Sequence, residues 1–401
     1  MLRHLFTLMW NRKRANGLLI LEVFMAFVVL FAVGSTGVYL WRNYQAPLGF
    51  AYENVWQINL NSGSQPRAEQ VATLQRVLAK LRTTPGVEVV SRTEDTTPFS
   101  YNGNSGNITT GTGDTQRRTE EADFYSGGPE LREVMGVRLV AGRWFDRRDE
   151  TPTRRPPVVI TEATQAELFP DGQSALGKVI HYGFHENQER VVVGISGPYR
   201  AGGELSEPRS ALFGYISPQD TTTALNTLLV RVQPGTGAAL AKRLSDDIRL
   251  TSGGRWSSDI TTLREQRLSK LKVLLTLPAV LGVVCVFLLV NVALGLFGVL
   301  WLNINQRRAE LGVRRAMGAT GAAISGQVLG EILTLTTFGL VLGLLVAAQF
   351  PLLGVFNIKA GVYLTAMLLA TLGLYALAAG CAFYPSRLAA GIQPAVALRE
   401  E

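Results

Sequence analysis

The sequence has 401 residues, of which 47% are hydrophobic and only 17% are charged. This composition is too apolar for a set of soluble domains and indicates segments that lie in a membrane. The two cysteines, Cys285 and Cys381, both lie in long apolar runs, which excludes a disulfide framework and a cysteine-based metal site. A net charge of +8 could indicate a nucleic-acid partner. The distribution of the basic residues along the chain decides whether it does.

Four segments are long enough and poor enough in charge to cross a membrane, and they are predicted at residues 17–41, 273–301, 324–350 and 362–384. Residues 42–270 hold 27 basic and 26 acidic residues, whereas the rest of the chain holds 12 against 5. The basic excess therefore lies beside the spans, as the positive-inside rule expects of cytoplasmic segments. No nucleic-acid partner is expected, both termini are predicted in the cytoplasm, and residues 42–270 are predicted outside it.

The remaining short segments follow from this topology. Residues 1–16 combine apolar side chains at helical spacing with a basic cluster, which predicts an amphipathic helix on the inner leaflet. Residues 351–361 are predicted as a short outer loop and residues 385–401 as a cytoplasmic tail. A cleavable signal peptide is the alternative for the first span, but the apolar run is too long, and its removal leaves an odd number of spans.

The outer segment repeats one strand-helix-strand pattern. Residues 50–92 and 226–262 each alternate apolar residues, then place them at helical spacing, and then return to a strand. The two units are predicted to pair as a split β-α-β structure, with residues 93–225 inserted between them and mostly β. Within the insertion, residues 102–113 are rich in Gly, Asn and Thr and are predicted to form a mobile loop.

Three features of the outer segment could suggest catalysis or metal binding. Residues 172–178 resemble the opening of a phosphate-binding loop, but Val179 stands where the magnesium-binding hydroxyl belongs, so a turn into a strand is expected. His181, His185 and Glu186 could hold a metal, although exposed hairpin residues are the preferred interpretation. No serine elbow with a usable histidine occurs. No catalytic, cofactor or metal site is therefore predicted in this chain.

Small residues in the spans indicate close helix contacts. The predicted packing glycines are Gly34, Gly37, Gly295, Gly298, Gly339 and Gly343. The first four of these lie in the first two spans, which are predicted to supply much of a dimer contact. Glu331 lies about two turns into the third span, where a structural hydrogen bond between helices is preferred to a transport role.

The inner loop, residues 302–323, is predicted to contain a short helix with two different sides. Its small apolar stripe comprises Ala309, Gly312, Val313, Ala316 and Met317. Glu310 and Arg314 form an i,i+4 pair, Gly318 is predicted to end the helix, and Thr320 is predicted to begin the next one. Such a helix is suited to insertion into a groove of a partner. Membrane anchoring alone would explain the arginines but not the stripe.

The sequence RRAELGVRRAMGA, which begins at Arg307, resembles the coupling segment of the ABC-transporter permeases of the MacB/FtsX class. The tail from Pro385 to Arg399 is similar to the ending of that family. Weaker matches run through the outer segment in the order of the family, so the resemblance covers essentially the whole chain.

The resemblance implies an α+β membrane protein of the bacterial inner (cytoplasmic) membrane. Four transmembrane helices would carry a large outer domain made of a split β-α-β "porter" unit, residues 50–92 and 226–262, and an inserted "sabre" unit, residues 93–225. It also implies a dimer with a second copy or a paralogue, in contact with membrane lipid. The residues implied in ATPase coupling are Ala309, Glu310, Gly312, Val313, Arg314, Ala316, Met317 and Gly318.

No nucleotide-binding motif occurs in the sequence, so a separate cytoplasmic ABC ATPase subunit is expected to bind ATP and Mg²⁺. The implied function is the coupling of ATP hydrolysis to movement of the outer domain in export, and this chain itself is not expected to be an enzyme. A lipoprotein-releasing permease is one alternative. A membrane-anchored receptor or assembly factor without transport is the other. The substrate, a periplasmic adaptor and an outer-membrane channel are left open.

Overall fold

In the computed structural model, the described residues are 13–111, 116–151, 153–170, 172–182, 189–206, 209–221, 223 and 226–391. Residues 1–12 of the predicted amphipathic helix, and most of the predicted tail, therefore lie outside them. The chain divides into two units, one formed by residues up to 42 and from 275 onwards, the other by Asn43–Leu274. The first is called the membrane unit and the second the outer domain.

Four long helices are apolar enough to cross a membrane. They are α1 (Lys13–Gln45), α6 (Leu263–Gln306), α8 (Gly321–Ala347) and α10 (Ala360–Ala390). Shorter helices in the same unit are α7 (Arg308–Ala316) and α9 (Gln349–Leu352), with a 3-10 turn at Val355–Asn357. Helices α1, α6 and α10 exceed the predicted spans, because helical structure continues into flanking polar residues, and α6 has 44 residues. Helix α8 begins and ends three residues before the predicted span 324–350.

One apolar core holds the membrane unit together. It includes Leu19, Val23 and Phe27 of α1, which are almost completely buried, together with one stripe of each other long helix. Helix α6 contributes least to this core. Only 6% of its most apolar 18-residue stretch is buried, against 28–39% for the corresponding stretches of the other three helices. Most of the large apolar side chains of α6 are therefore left to contact lipid or another protein.

In the outer domain, thirteen strands of the described residues form one sheet. They are β1 (Val55–Asn61), β2 (Val87–Thr93), β3 (Ser105–Gly106), β4 (Ile108–Thr110), β5 (Arg117–Arg118), β6 (Ala122–Gly127), β7 (Leu139–Gly142), β8 (Pro157–Thr161), β9 (Val179–Tyr182), β10 (Glu189–Ser196), β11 (Ser210–Tyr215), β12 (Thr227–Val232) and β13 (Ser257–Thr262). Helices α2 (Arg67–Arg82), α3 (Leu131–Met135), α4 (Glu162–Leu168) and α5 (Ala238–Thr251) accompany the strands, with a 3-10 turn at Arg147–Glu150.

The strand order begins β13-β1-β12-β2, with every neighbouring pair antiparallel. Each strand-helix-strand unit is thus split by a strand of the other, which is the predicted split β-α-β pairing. Helices α2 and α5 pack on this part of the sheet through Leu74, Leu81 and Leu244, all at most 1% exposed. The predicted fold class, α+β with four membrane helices, is confirmed.

The insertion does not form a sheet of its own. The order continues from β2 to β6-β11-β8-β10-β9-β4-β5, and Thr93 pairs with Gly127 at the point of transition. The prediction of a mobile loop at residues 102–113 is wrong for the described part, because β3 and β4 lie in it. Ile108 of β4 is fully buried and pairs with Tyr182. Burial of this apolar side chain stabilises a strand here more than the surrounding Gly and Asn residues disfavour one.

Candidate functional site

Helix α7 is attached to the membrane unit by one side only. Leu311 is 6% exposed and belongs to the apolar core, and Gly312 beside it is also buried. Ala309 and Ala316 are exposed, as are Val313 at 41% and Met317 at 77%. The predicted stripe therefore needs one correction: Gly312 faces the membrane unit, and the exposed stripe consists of the other four residues.

The end of α7 is fixed by its own backbone. Gly318 has a left-handed φ of +97°, Ala319 N donates to Arg314 O at 3.0 Å, and Gly318 N donates to Arg315 O at 3.1 Å. These two bonds form a Schellman motif, in which a glycine satisfies the last carbonyls of a helix. Thr320 then caps α8, because its hydroxyl accepts a bond from Ala323 N at 3.2 Å. The predicted helix end at Gly318 and the predicted helix start at Thr320 are both present in the structure.

A chain of polar contacts holds α7 against α8. Glu310 Oε1 pairs with Arg314 at 2.5 Å, and Arg314 Nη1 donates to Gln327 Oε1 at 2.7 Å. Gln327 Nε2 donates to Glu331 at 3.2 Å, and Glu331 also pairs with Arg307 at 3.3 Å. Glu310 and Arg314, both predicted at the coupling site, thus contribute to the position of the helix. Glu331 makes the structural contact between helices that the sequence favoured.

Two residues of this site were not identified from the sequence. Leu311 is the apolar anchor of α7, and Gln327 connects the arginine of α7 to the carboxylate of α8. A signal for Leu311 was present, because it is the one large aliphatic residue on the side of α7 opposite the small stripe. Gln327 gave no comparable signal, since a single glutamine near the start of a span has many ordinary roles.

The packing glycines separate into two groups. A Cβ on Gly339 would lie 2.7 Å from Val23 and 2.9 Å from the carbonyl oxygen of Ile20, and one on Gly343 would overlap the Phe27 ring. These two glycines let α1 approach α8. A Cβ on Gly295 would lie 2.7 Å from the Glu22 carboxylate, and one on Gly34 would lie 3.8 Å from the Cβ of Ala366. Gly37 and Gly298 have open space at the Cβ position.

This grouping changes the dimer prediction. Four of the six glycines contact other helices of the same chain, so they are not free for a second copy. Gly37 and Gly298 are exposed and stay as candidates for contacts between two copies.

The outer domain offers no competing metal site within its described part. His185 and Glu186 lie outside the described residues, and no group of three or more His, Cys, Asp or Glu side chains is brought together elsewhere in the described chain. The resemblance of residues 172–178 to a phosphate loop ends in a turn, where Lys178 N donates to Ala175 O at 3.0 Å before β9 begins.

Two family models match the chain in succession. The MacB-like periplasmic core domain matches residues 17–247, and the FtsX-like permease C-terminal domain matches residues 282–394. The two matched regions include α1, most of the outer domain, and the membrane helices with α7.

Curated relatives agree with these matches. The chain is 30% identical over 250 residues to the macrolide export ATP-binding/permease protein MacB 1/2 of Paracoccus denitrificans, covering 61% of this chain and 37% of that protein. It is 25% identical over 422 residues to the pyoverdine export ATP-binding/permease protein PvdT of Pseudomonas fluorescens, covering 98% and 58%. The chain thus spans between about a third and three fifths of the length of these relatives.

Among solved structures, the periplasmic region of MacB from Actinobacillus actinomycetemcomitans matches with a TM-score of 0.38 and 15% identity, covering 57% of this chain and 97% of that one. Because one family model covers more than half of the sequence and a second follows it, the chain belongs to the MacB/FtsX-type family of ABC-transporter permeases, multi-pass proteins of the inner membrane.

Proposed function

We propose that this chain is a permease subunit that couples ATP hydrolysis by a separate cytoplasmic ABC ATPase to movement of its outer domain during export. ATP and Mg²⁺ would bind on the ATPase, and a second copy or a paralogue would complete a dimer. The names of the relatives, macrolide export and pyoverdine export, support export as the activity.

The observation that carries this proposal is the construction of α7. Its Ala309, Val313, Ala316 and Met317 side is exposed, while Leu311 and the polar chain to α8 hold the opposite side. An exposed apolar face on a helix that is otherwise braced at its end and its side fits a helix-in-groove contact. Two alanines in the face let a packed groove approach the backbone, and the bracing would pass the movement of the groove to α8.

The test is Ala316→Glu. A bulky charge inside a packed groove costs about 1–3 kcal/mol or more, which corresponds to about 5- to 150-fold weaker association. We expect co-purification with the ATPase, and stimulation of its hydrolysis, to be lost, while membrane insertion and thermal stability stay unchanged because Ala316 is exposed.

Arg308→Ala is the control, because it removes a charge next to the exposed stripe without adding volume, and it is expected to have a much smaller effect. Gly312→Glu is unsuitable, since Gly312 is buried within the chain. A membrane-anchored receptor without an ATPase would tolerate Ala316→Glu. Full co-purification and full complementation by that variant would therefore overturn the coupling proposal.

Topology gives a second prediction: both termini are cytoplasmic and the outer domain is periplasmic. Cysteines at Ser105 and Arg387, both exposed positions, would be introduced after replacement of Cys285 and Cys381. An impermeant thiol reagent on intact spheroplasts should label position 105 and spare position 387 until the membrane is opened. Labelling with the opposite pattern would reject the topology.

A further inference from the structure

Residues 198–206 form a short loop in the outer domain that directly follows the last residues of β10, and this segment is called the junction loop. It contacts the last turn of α1 and the segment that continues from α1. Arg200 N donates to Leu48 O at 2.9 Å, and Asn43 Nδ2 donates to Leu205 O at 3.2 Å. Gly49 packs so closely that a Cβ there would overlap the carbonyl oxygen of Pro198. The chain leaving α1 is therefore attached along the junction loop.

A buried arginine fixes this attachment. Arg200 is 2% exposed, and its guanidinium donates to backbone carbonyl oxygens of Ala46 at 2.7 Å, Glu204 at 2.6 Å and Ser206 at 3.0 Å. A buried cation is tolerated only while its donors are satisfied, so movement of the Ala46 carbonyl away from Arg200 would remove one of the hydrogen bonds that offset the desolvation of the guanidinium. Arg200 thus makes the geometry of the loop and the geometry of the α1 exit depend on each other.

The same loop contacts the beginning of α6. The Glu204 carboxylate is 8% exposed and forms an ion pair with Arg267 Nε, whose side chain is 17% exposed. Arg267 also lies 4.8 Å above the Tyr52 ring. The second oxygen of Glu204 has no hydrogen-bond partner in the described part of the chain. The carboxylate therefore depends on Arg267, and loss of that partner would leave a buried charge unpaired.

The loop itself is compact. Ser206 Oγ donates to Gly203 O at 2.7 Å, Gly203 N donates to Arg200 O at 2.9 Å, and Gly203 has a left-handed φ of +99°. Such internal bonding reduces the freedom of the loop to absorb a displacement of its ends. A displacement of either helix end would therefore reach β10, which pairs with β7, β8 and β9 in the insertion.

We propose that the junction loop is the joint through which α1 and α6 together move the insertion of the outer domain. Arg200 is the positioning residue on the α1 side, and the Glu204–Arg267 pair holds the α6 side. This inference rests on the proposed function, because the movement would originate at the ATPase. It adds a named route by which two helices far apart in sequence act on one strand.

The test uses the full chain in complex with its ATPase in lipid nanodiscs, with hydrogen exchange measured without nucleotide and with ATP and vanadate. In the wild type we expect a nucleotide-dependent change in exchange in the first turns of α6 and in β10. In Arg267→Met the change in α6 should persist and the change in β10 should be lost. Arg267→Lys keeps the charge beside Glu204 and should retain most of the response in β10.

Arg155→Met is the matched control. It removes a half-exposed ion pair between Arg155 and Glu189, with an N–O distance of 2.6 Å, at the other end of β10, and it touches neither helix. It should leave the response of β10 unchanged. If Arg267→Met lowers stability, Glu204→Gln removes the charge while keeping an acceptor for Arg267, and it should also weaken the response. An unchanged response of β10 in both variants would overturn the joint. A wild-type complex without any nucleotide response in α6 would overturn the proposed function, and the joint with it.

Discussion

Gly339→Ala is expected to destabilise the membrane unit by about 1–3 kcal/mol, although alanine is the better helix former. The new Cβ would lie 2.7 Å from Val23 and 2.9 Å from the backbone oxygen of Ile20. Val23 is 1% exposed, so its side chain has no free volume to enter. Relief then requires α1 to move away from α8, which loosens the core that both helices share. The measurement is the midpoint temperature of the purified full chain in detergent.

Gly330→Ala is the control on the same helix, because a Cβ at Gly330 meets no atom within 4 Å. Its stability should be unchanged or slightly higher, within about 1 kcal/mol. Protease resistance of the outer domain should be the same in both variants, since Gly339 lies in the membrane unit. Equal midpoints for the two variants would show that α1 and α8 do not depend on close approach at this glycine.

The four spans could be predicted because an apolar run of sufficient length has few alternatives in water. The ends of the helices could not be predicted in the same way. Residues 263–272 contain several charged and polar side chains and fail any criterion of hydropathy, yet they continue α6 as one helix. Their helical structure is supported by tertiary contacts, such as Arg267 with Glu204, that span 63 residues of sequence. Local patterns do not carry that information.

The coupling segment shows a similar division. Its helix end at Gly318 and its cap at Thr320 are local events, determined by a left-handed glycine and a hydroxyl, and the sequence predicts both. The orientation of α7 is not local. The size of Gly312 places it in the predicted small stripe, but burial of Leu311 turns α7 so that Gly312 faces inward. The large aliphatic side chain determines orientation because it gains most from burial.

The outer domain was predictable where it repeats. Apolar alternation and helical spacing define the two strand-helix-strand units, whereas the continuation of their sheet into the insertion depends on the pairing of Thr93 with Gly127. The junction loop was not predicted at all, because its contacts join residues about 150 positions apart in sequence. Its one sequence signal is the glycine at position 49, whose requirement becomes visible only beside Pro198.

Gly49→Ala is accordingly expected to be more destabilising than Gly339→Ala. The left-handed φ of +83° costs alanine about 1–2 kcal/mol, and overlap with the Pro198 carbonyl adds about 1–3 kcal/mol. The obstacle is backbone, so no rotamer change can relieve it. We expect Arg200 to lose its bonds to the α1 exit, and the outer domain of the full chain to unfold at a lower temperature and become sensitive to protease.

Gly63→Ala separates the two causes, because Gly63 also has a left-handed φ, +60°, but open space at its Cβ. It should show only the conformational cost of about 1–2 kcal/mol. The difference between the two variants therefore measures the close approach of residue 49 to the junction loop. If both variants lower the unfolding midpoint of the outer domain equally, the contact with Pro198 contributes nothing, and the attachment of the α1 exit must depend on hydrogen bonds such as those of Arg200 to Ala46 and Leu48 and that of Asn43 to Leu205.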